Sequence, residues 1–140
     1  MTSFANTTFY ASVYAGSQRV PTRVSQKSPA LDDALRRCGI DRWTQLTAYN
    51  PAGQQVSQAA NAEAHQRLVD GLSRNGIQWW PGYGLPDDPS WGAEVSVVLL
   101  GVRLHVAMQL AQDFGQAAIV HGLVGGRARL LAVPAKRVLA

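Results

Sequence analysis

The chain is short of cysteine, of lysine and of charge altogether, and each shortage closes off a class of protein. One cysteine, Cys38, among 140 residues excludes an internal disulfide and leaves no partner for a cysteine-based zinc cluster, so the fold rests on packing and a reducing compartment is expected. Two lysines stand beside eleven arginines, and against nine acids they give a formal charge of +4. That suffices to attract a phosphate and falls far short of a polybasic tail. Charged residues are only 16% of the chain and apolar ones 46%, which excludes disorder and leaves a lean polar surface on which a homo-oligomer can form. No apolar run approaches the length of a bilayer span, and residues 1–10 lack a basic segment followed by an apolar one. The expectation is a cytoplasmic protein without membrane contact, built as one domain over residues 1–140. Its core covers 43–123, with an N-terminal extension over 1–42 and a C-terminal hairpin strand and tail over 124–140.

Reaction-specific motifs are missing too. His65, His105 and His121 share no ligand spacing and nothing resembles H-E-x-x-H, so neither a metal nor another cofactor is expected. No G-x-S-x-G elbow is present, and Cys38 falls near the end of a helix, the wrong end for lowering a thiol pKa. Gly122 to Gly126 lacks the following lysine of a phosphate loop.

What is present is hydrophobic periodicity. Phe9, Ala11 and Val13 alternate with polar neighbours as in a strand, and residues 16–27 read as a basic loop. Ser28 as N-cap, Pro29, Asp32 and Asp33 early, Arg36 and Arg37 late, and Gly39 beyond predict a short helix that buries Leu31, Ala34, Leu35 and Cys38. Trp43 to Tyr49 reads as a strand ended by Asn50-Pro51-Ala52-Gly53, and residues 57–75 as a helix with Ala60, Ala64, Leu68, Gly71 and Leu72 on one face. On that helix Glu63 and Asp70 precede Arg67 and Arg74 by four residues, the spacing of ion pairs. Strands follow over 77–84 and 94–101, separated by a Gly/Pro/Asp-rich loop, then a largely apolar helix from Leu104 to Phe114. A hairpin turns at Gly125-Gly126. The order strand, helix, strand, strand, helix, strand over 43–123 predicts an α+β, ferredoxin-like (split βαβ) sandwich with helices on one face, an extra N-terminal strand and helix, and a C-terminal hairpin strand.

Against that apolar background a few polar side chains stand out: Asn50, Asn61, Glu94 and Gln116 adjoin apolar segments, where an amide or carboxylate is costly without a partner. With Tyr49 and Trp91 they form the candidate ligand-binding set, and Glu94 is the candidate general acid or base because burial would raise its pKa. Plainer roles compete with each. Glu94 can pair with an arginine, Asn50 can close its own Asx-turn, Asn61 can cap, and Gln116 can tie off the helix ending at Phe114-Gly115.

The same landmarks, Thr47, Asn50, Pro51 and Gly53, then Asn61, then Trp91 with Glu94, then Phe114-Gly115-Gln116, resemble a bacterial family catalogued as a domain of unknown function. Its marks are a T-A-x-N-P-x-G turn, a W-x-x-E strand start and an F-G-Q helix end. The resemblance covers about residues 43–121 and implies no activity, cofactor or substrate. The leading expectation is a non-catalytic or regulatory module that binds a small polar ligand or peptide. An enzyme using Glu94 is the first alternative. The second is a nucleic-acid binder using Trp79, Trp80, Tyr83 and Trp91, disfavoured because the RNP1 pattern is absent.

Overall fold

The central strands of this protein divide their side chains between two apolar layers, and that division sets the architecture. The computed structural model describes residues 8–13, 18–85 and 92–135, with the side chains of 10–13 excepted. The elements run β1 (Thr8–Val13), β2 (Gln18–Arg23), α1 (Pro29–Arg37), β3 (Arg42–Leu46), a 3-10 turn (Pro51–Gly53), α2 (Gln58–Arg74), β4 (Trp79–Leu85), β5 (Glu94–Leu100), α3 (Leu104–Asp113), β6 (Ala118–Leu123) and β7 (Arg129–Ala132). The seven strands form one sheet in the order β2-β1-β4-β5-β3-β6-β7, every neighbouring pair antiparallel. Helix α2 links β3 to β4 across β5, and α3 links β5 to β6 across β3.

The sheet curls. Residues just after β2 meet residues just before β7, its opposite edge strand: Ser25 N donates to Ala128 O at 2.7 Å and Ala128 N to Gln26 O at 2.9 Å, beside a bridge between Lys27 and Arg127. The inner face of the curl packs Trp43, Trp80, Val98 and Val120 on Leu31 and Leu35 of α1. The outer face packs Leu46, Val97, Leu99 and Ile119 on Leu68 and Leu72 of α2 and Ala107 and Ala111 of α3. The expectation of helices on one face is therefore corrected, since α1 fills the concave side and α2 and α3 cover the convex side.

Other local expectations shift for physical reasons. Part of the expected basic loop is strand β2, in which Val20 and Thr22 are buried while Arg19, Pro21 and Arg23 are exposed. Proline is tolerated there because β2 pairs only with β1 along its length. Ser28 does precede α1, yet its side chain makes no capping bond. Cys38 is exposed rather than buried. Arg67 pairs with Glu63 at 3.5 Å, whereas Asp70 accepts from Gln66 Nε2 at 2.8 Å. The aromatic cluster is split by strand alternation: Trp80 enters the inner core and Trp79 the outer layer, so the two rings cannot form one stacking platform. Trp91 lies outside the described residues.

Candidate functional site

The polar cluster begins where β3 ends. Thr47 Oγ1 donates to Val95 O at 2.6 Å and accepts from Tyr49 N at 3.0 Å, fastening the exit of β3 to β5. Asn50 then takes left-handed backbone angles, φ 48° and ψ 60°, a conformation that asparagine tolerates better than most side chains. The next turn abuts the end of α3, where Ala52 N donates to Gly115 O at 2.8 Å. A Cβ on Gly115 would stand 3.0 Å from Pro51 Cβ, so glycine allows this close approach.

Asn50 is the hub. Its side-chain Oδ1 accepts from Asn61 Nδ2 at 3.0 Å and from Val56 N at 3.2 Å, and its backbone N–H donates to Asn61 Oδ1 at 2.8 Å. Its Nδ2 donates to Glu94 Oε1 at 2.9 Å. Asn50 and Asn61 are buried, so this reciprocal pair meets a demand that water cannot. Folding thus brings Asn50, Asn61 and Glu94 into one connected network from the β3 exit, α2 and β5. Gln116 and Tyr49 join by a different route: Gln116 Nε2 donates to Tyr49 O at 2.9 Å and to Phe114 O at 3.2 Å. The plain reading of Gln116 as a tie at the end of α3 accounts for both protons of its carboxamide. The Tyr49 ring meets His65 edge-on at 6.4 Å between centroids.

Glu94 differs from Asn50 and Asn61 in facing a cavity. It is half-buried, and burial pushes its pKa above the ordinary value while the Asn50 hydrogen bond pulls it back down. The ion pair considered for it is not found: among the described residues the ion pairs are Asp33–Arg36, Asp41–Arg42 and Glu63–Arg67, all at exposed side chains. On the inner face, Gly84 of β4 pairs with Glu94 and Gly82 with Ser96. Where β4 offers no side chain, the curled sheet leaves a cleft of about 40 Å³ lined by Phe9, Gln45, Glu94, Ser96, Gln116 and Leu130 among others, room for about three waters. Gln45 Nε2 donates to Ser96 Oγ at 2.8 Å and, at a longer 3.4 Å, to Tyr83 O. A broader groove of about 610 Å³ runs between α2 and α3 past Leu68 and Phe114, but its arginines Arg67 and Arg74 are exposed and solvated.

The candidate set divides accordingly. Glu94 and Gln116 line the cleft; Tyr49, Asn50 and Asn61 stand behind it and hold it. Gln45 and Ser96 complete the cleft without belonging to the predicted set. The signal for Gln45 was available, since a carboxamide two residues after Trp43 on a strand lies on the same apolar face. Among the described residues no group of three His, Cys, Asp or Glu side chains is placed to hold a metal ion, and no described helix is long and apolar enough to cross a membrane.

Residues 46–119 match a family described as "Protein of unknown function (DUF3293)". The chain belongs to that family. No curated protein and no solved structure matches it. The DUF3293 segment holds the Asn50–Asn61–Glu94 network and Gln116, whereas Phe9, Gln45 and Leu130 come from outside it. Glu94, Ser96 and Gln116 of the cleft therefore lie in the DUF3293 segment, while Gln45 and part of the walls are added from outside it.

The raised pKa of Glu94 has a signed consequence for stability. Between the ordinary value of 4.5 and the higher folded value, the native state holds more proton than the unfolded chain, so folding stability falls as pH rises through that window. Glu94→Gln keeps an acceptor for Asn50 and carries no charge. Its stability relative to the wild type is expected to increase as pH rises from 4.5 and to level off once the native carboxyl has ionised. Urea midpoints measured across pH check this; a difference that stays constant, or shrinks with pH, contradicts it.

Proposed function

We propose that the protein is a binding module that takes a small polar ligand, or the polar end of a peptide side chain, into the cleft of its curled sheet, with Glu94 as the principal contact and Tyr49, Asn50, Asn61 and Gln116 as its support. The observation that carries this reading is a half-buried carboxylate facing a cavity, oriented by a neutral amide and paired with no cation among the described ion pairs. A purely structural carboxylate would be expected to pair with a cation or to lie in water. Pre-formed clefts with apolar walls and a few oriented polar groups are typical ligand sites. The strand order β4-β5-β3-β6, with α2 and α3 as crossovers, supports a ferredoxin-like core as the frame that holds it.

The raised pKa of Glu94 also favours a second reading, general acid or base catalysis. That chemistry needs a partner group for the substrate, and Ser96, whose hydroxyl oxygen already accepts from Gln45, is the nearest candidate on the same strand face.

A fragment screen by amide chemical-shift mapping tests the binding reading. Fragments are expected to perturb signals from Gln45, Glu94, Ser96 and Gln116 as one group, saturably. A library that perturbs only the α2–α3 groove, or nothing, overturns it. Glu94→Gln separates the second reading, since an enzyme loses turnover with Glu94→Gln while a binding module shows no turnover to lose.

A further inference from the structure

The cleft joins a carboxylate to apolar walls, and its amide donors are already engaged. Gln116 Nε2 gives its protons to Tyr49 O and Phe114 O, Asn50 Nδ2 donates to Glu94, and Gln45 Nε2 donates to Ser96 Oγ and Tyr83 O. What these side chains can still extend to a ligand is acceptor character, concentrated at Glu94. The apolar walls on this face are Phe9, Val120 and Leu130, and Leu130, 39% exposed, marks the mouth. An anion meets Glu94 with repulsion in a partly desolvated site, and a neutral acceptor finds few donors. A cationic donor head on an apolar stem satisfies both halves of the lining.

Resting on the binding reading above, we infer that the ligand enters as a primary ammonium on an alkyl stem, its head on the Glu94 carboxylate beside Ser96 and its methylenes between Phe9 and Leu130. Such a group occurs on a free alkylamine and on a lysine side chain of a peptide, and the cleft volume of about 40 Å³ takes the head and first carbons of either. Ammonium binding also resolves the isolation of Glu94, because the cation supplies the charge partner that none of the described ion pairs provides. The Asn50 hydrogen bond is to Oε1, and a primary ammonium with three protons can reach Oε2 and Ser96 Oγ together.

The test is titration of the 140-residue chain with n-butylammonium chloride, n-butanol and sodium butyrate, each at matched ionic strength, followed by shifts of Glu94, Ser96 and Gln45 signals. Butylammonium is expected to bind saturably, at least tenfold more tightly than butanol, with no saturable response to butyrate. Shortening the stem to methylammonium should weaken binding by about fourfold per methylene removed from the walls. Glu94→Gln should lose at least tenfold in butylammonium affinity, while Glu94→Asp, which keeps the charge, loses less. Butanol or butyrate binding in the cleft as tightly as butylammonium, or full affinity in Glu94→Gln, overturns the ammonium inference and leaves the binding reading standing. Absence of any cleft response to all three compounds and to the fragment library removes both. N-acetyl-lysine amide binding more tightly than butylammonium identifies a peptide side chain as the source; the reverse order identifies a free amine.

Discussion

Asn50→Ala is expected to lose about 3–5 kcal/mol of folding stability, a large part of the roughly 5–15 kcal/mol that holds a small domain together. The side chain accepts from Asn61 Nδ2 and Val56 N and donates to Glu94 Oε1. Its removal strands a buried amide on Asn61 and withdraws the hydrogen bond that Asn50 gives to a half-buried carboxylate. Val56 is exposed, so its N–H recovers a bond to water and contributes least. The backbone adds a separate cost, because alanine at φ 48° meets the left-handed penalty of about 1 kcal/mol. Asn50→Gly removes the same bonds without that penalty and is expected to be about 1 kcal/mol more stable than Asn50→Ala. Urea denaturation of the three proteins checks both components. A loss below 1 kcal/mol in Asn50→Ala would show that the hub carries little of the fold, and a glycine variant no better than alanine would remove the backbone component.

The second large effect is expected at Gly122. In the β3–β6 ladder Gly122 faces Trp43, and a Cβ on Gly122 would lie 2.5 Å from Trp43 Cε2 and Nε1 and 2.7 Å from Cζ2. The indole is 2% exposed and sits in the inner core with Leu31, Leu35 and Trp80, so a rigid ring with no open side must move. Gly122→Ala should therefore cost about 3 kcal/mol, the upper end of ordinary overpacking. The double variant Trp43→Leu with Gly122→Ala should cost less than the sum of its parts, since a leucine leaves space for the added methyl. Additive losses, or a Gly122→Ala protein within 0.5 kcal/mol of wild type, would mean that the ring is not wedged against the β6 backbone.

Much of the frame was legible because periodicity reports it directly. The run Val97 to Leu100 announced a strand buried on both faces, and the Asn50-Pro51 turn, the helical spacing that begins near Ser57 and Gly125-Gly126 marked boundaries that the structure keeps. Strand β2 was hidden because Arg19, Pro21 and Arg23 suppress an alternation that only Val20 and Thr22 maintain. The side on which α1 lies was also hidden, since an amphipathic helix announces that it has an apolar face and not which sheet face receives it.

The site was half legible for a related reason. Asn50, Asn61 and Glu94 could be picked out because polar groups beside apolar runs need partners, and their partners proved to be one another. The cleft could not be seen, because it is made by what is missing. Gly82 and Gly84 vacate the face opposite Ser96 and Glu94 only in the register that β4 and β5 adopt, and register is a tertiary property. Gln116 illustrates the converse, a residue that looked chemical and whose amide protons prove to be holding the end of α3 against the Tyr49 turn.

The central claim is that folding places Glu94 in a partly desolvated cleft, held by Asn50 and awaiting a cation. Site-specific carbon-13 titration of the Glu94 carboxyl, with and without saturating butylammonium, tests it most directly. The free protein should titrate above the ordinary 4.5, Asn50→Gly should titrate higher still for want of its hydrogen bond, and butylammonium should drive the wild-type value down. A carboxyl that titrates at 4.5 in the free protein and does not move with the amine would contradict the account.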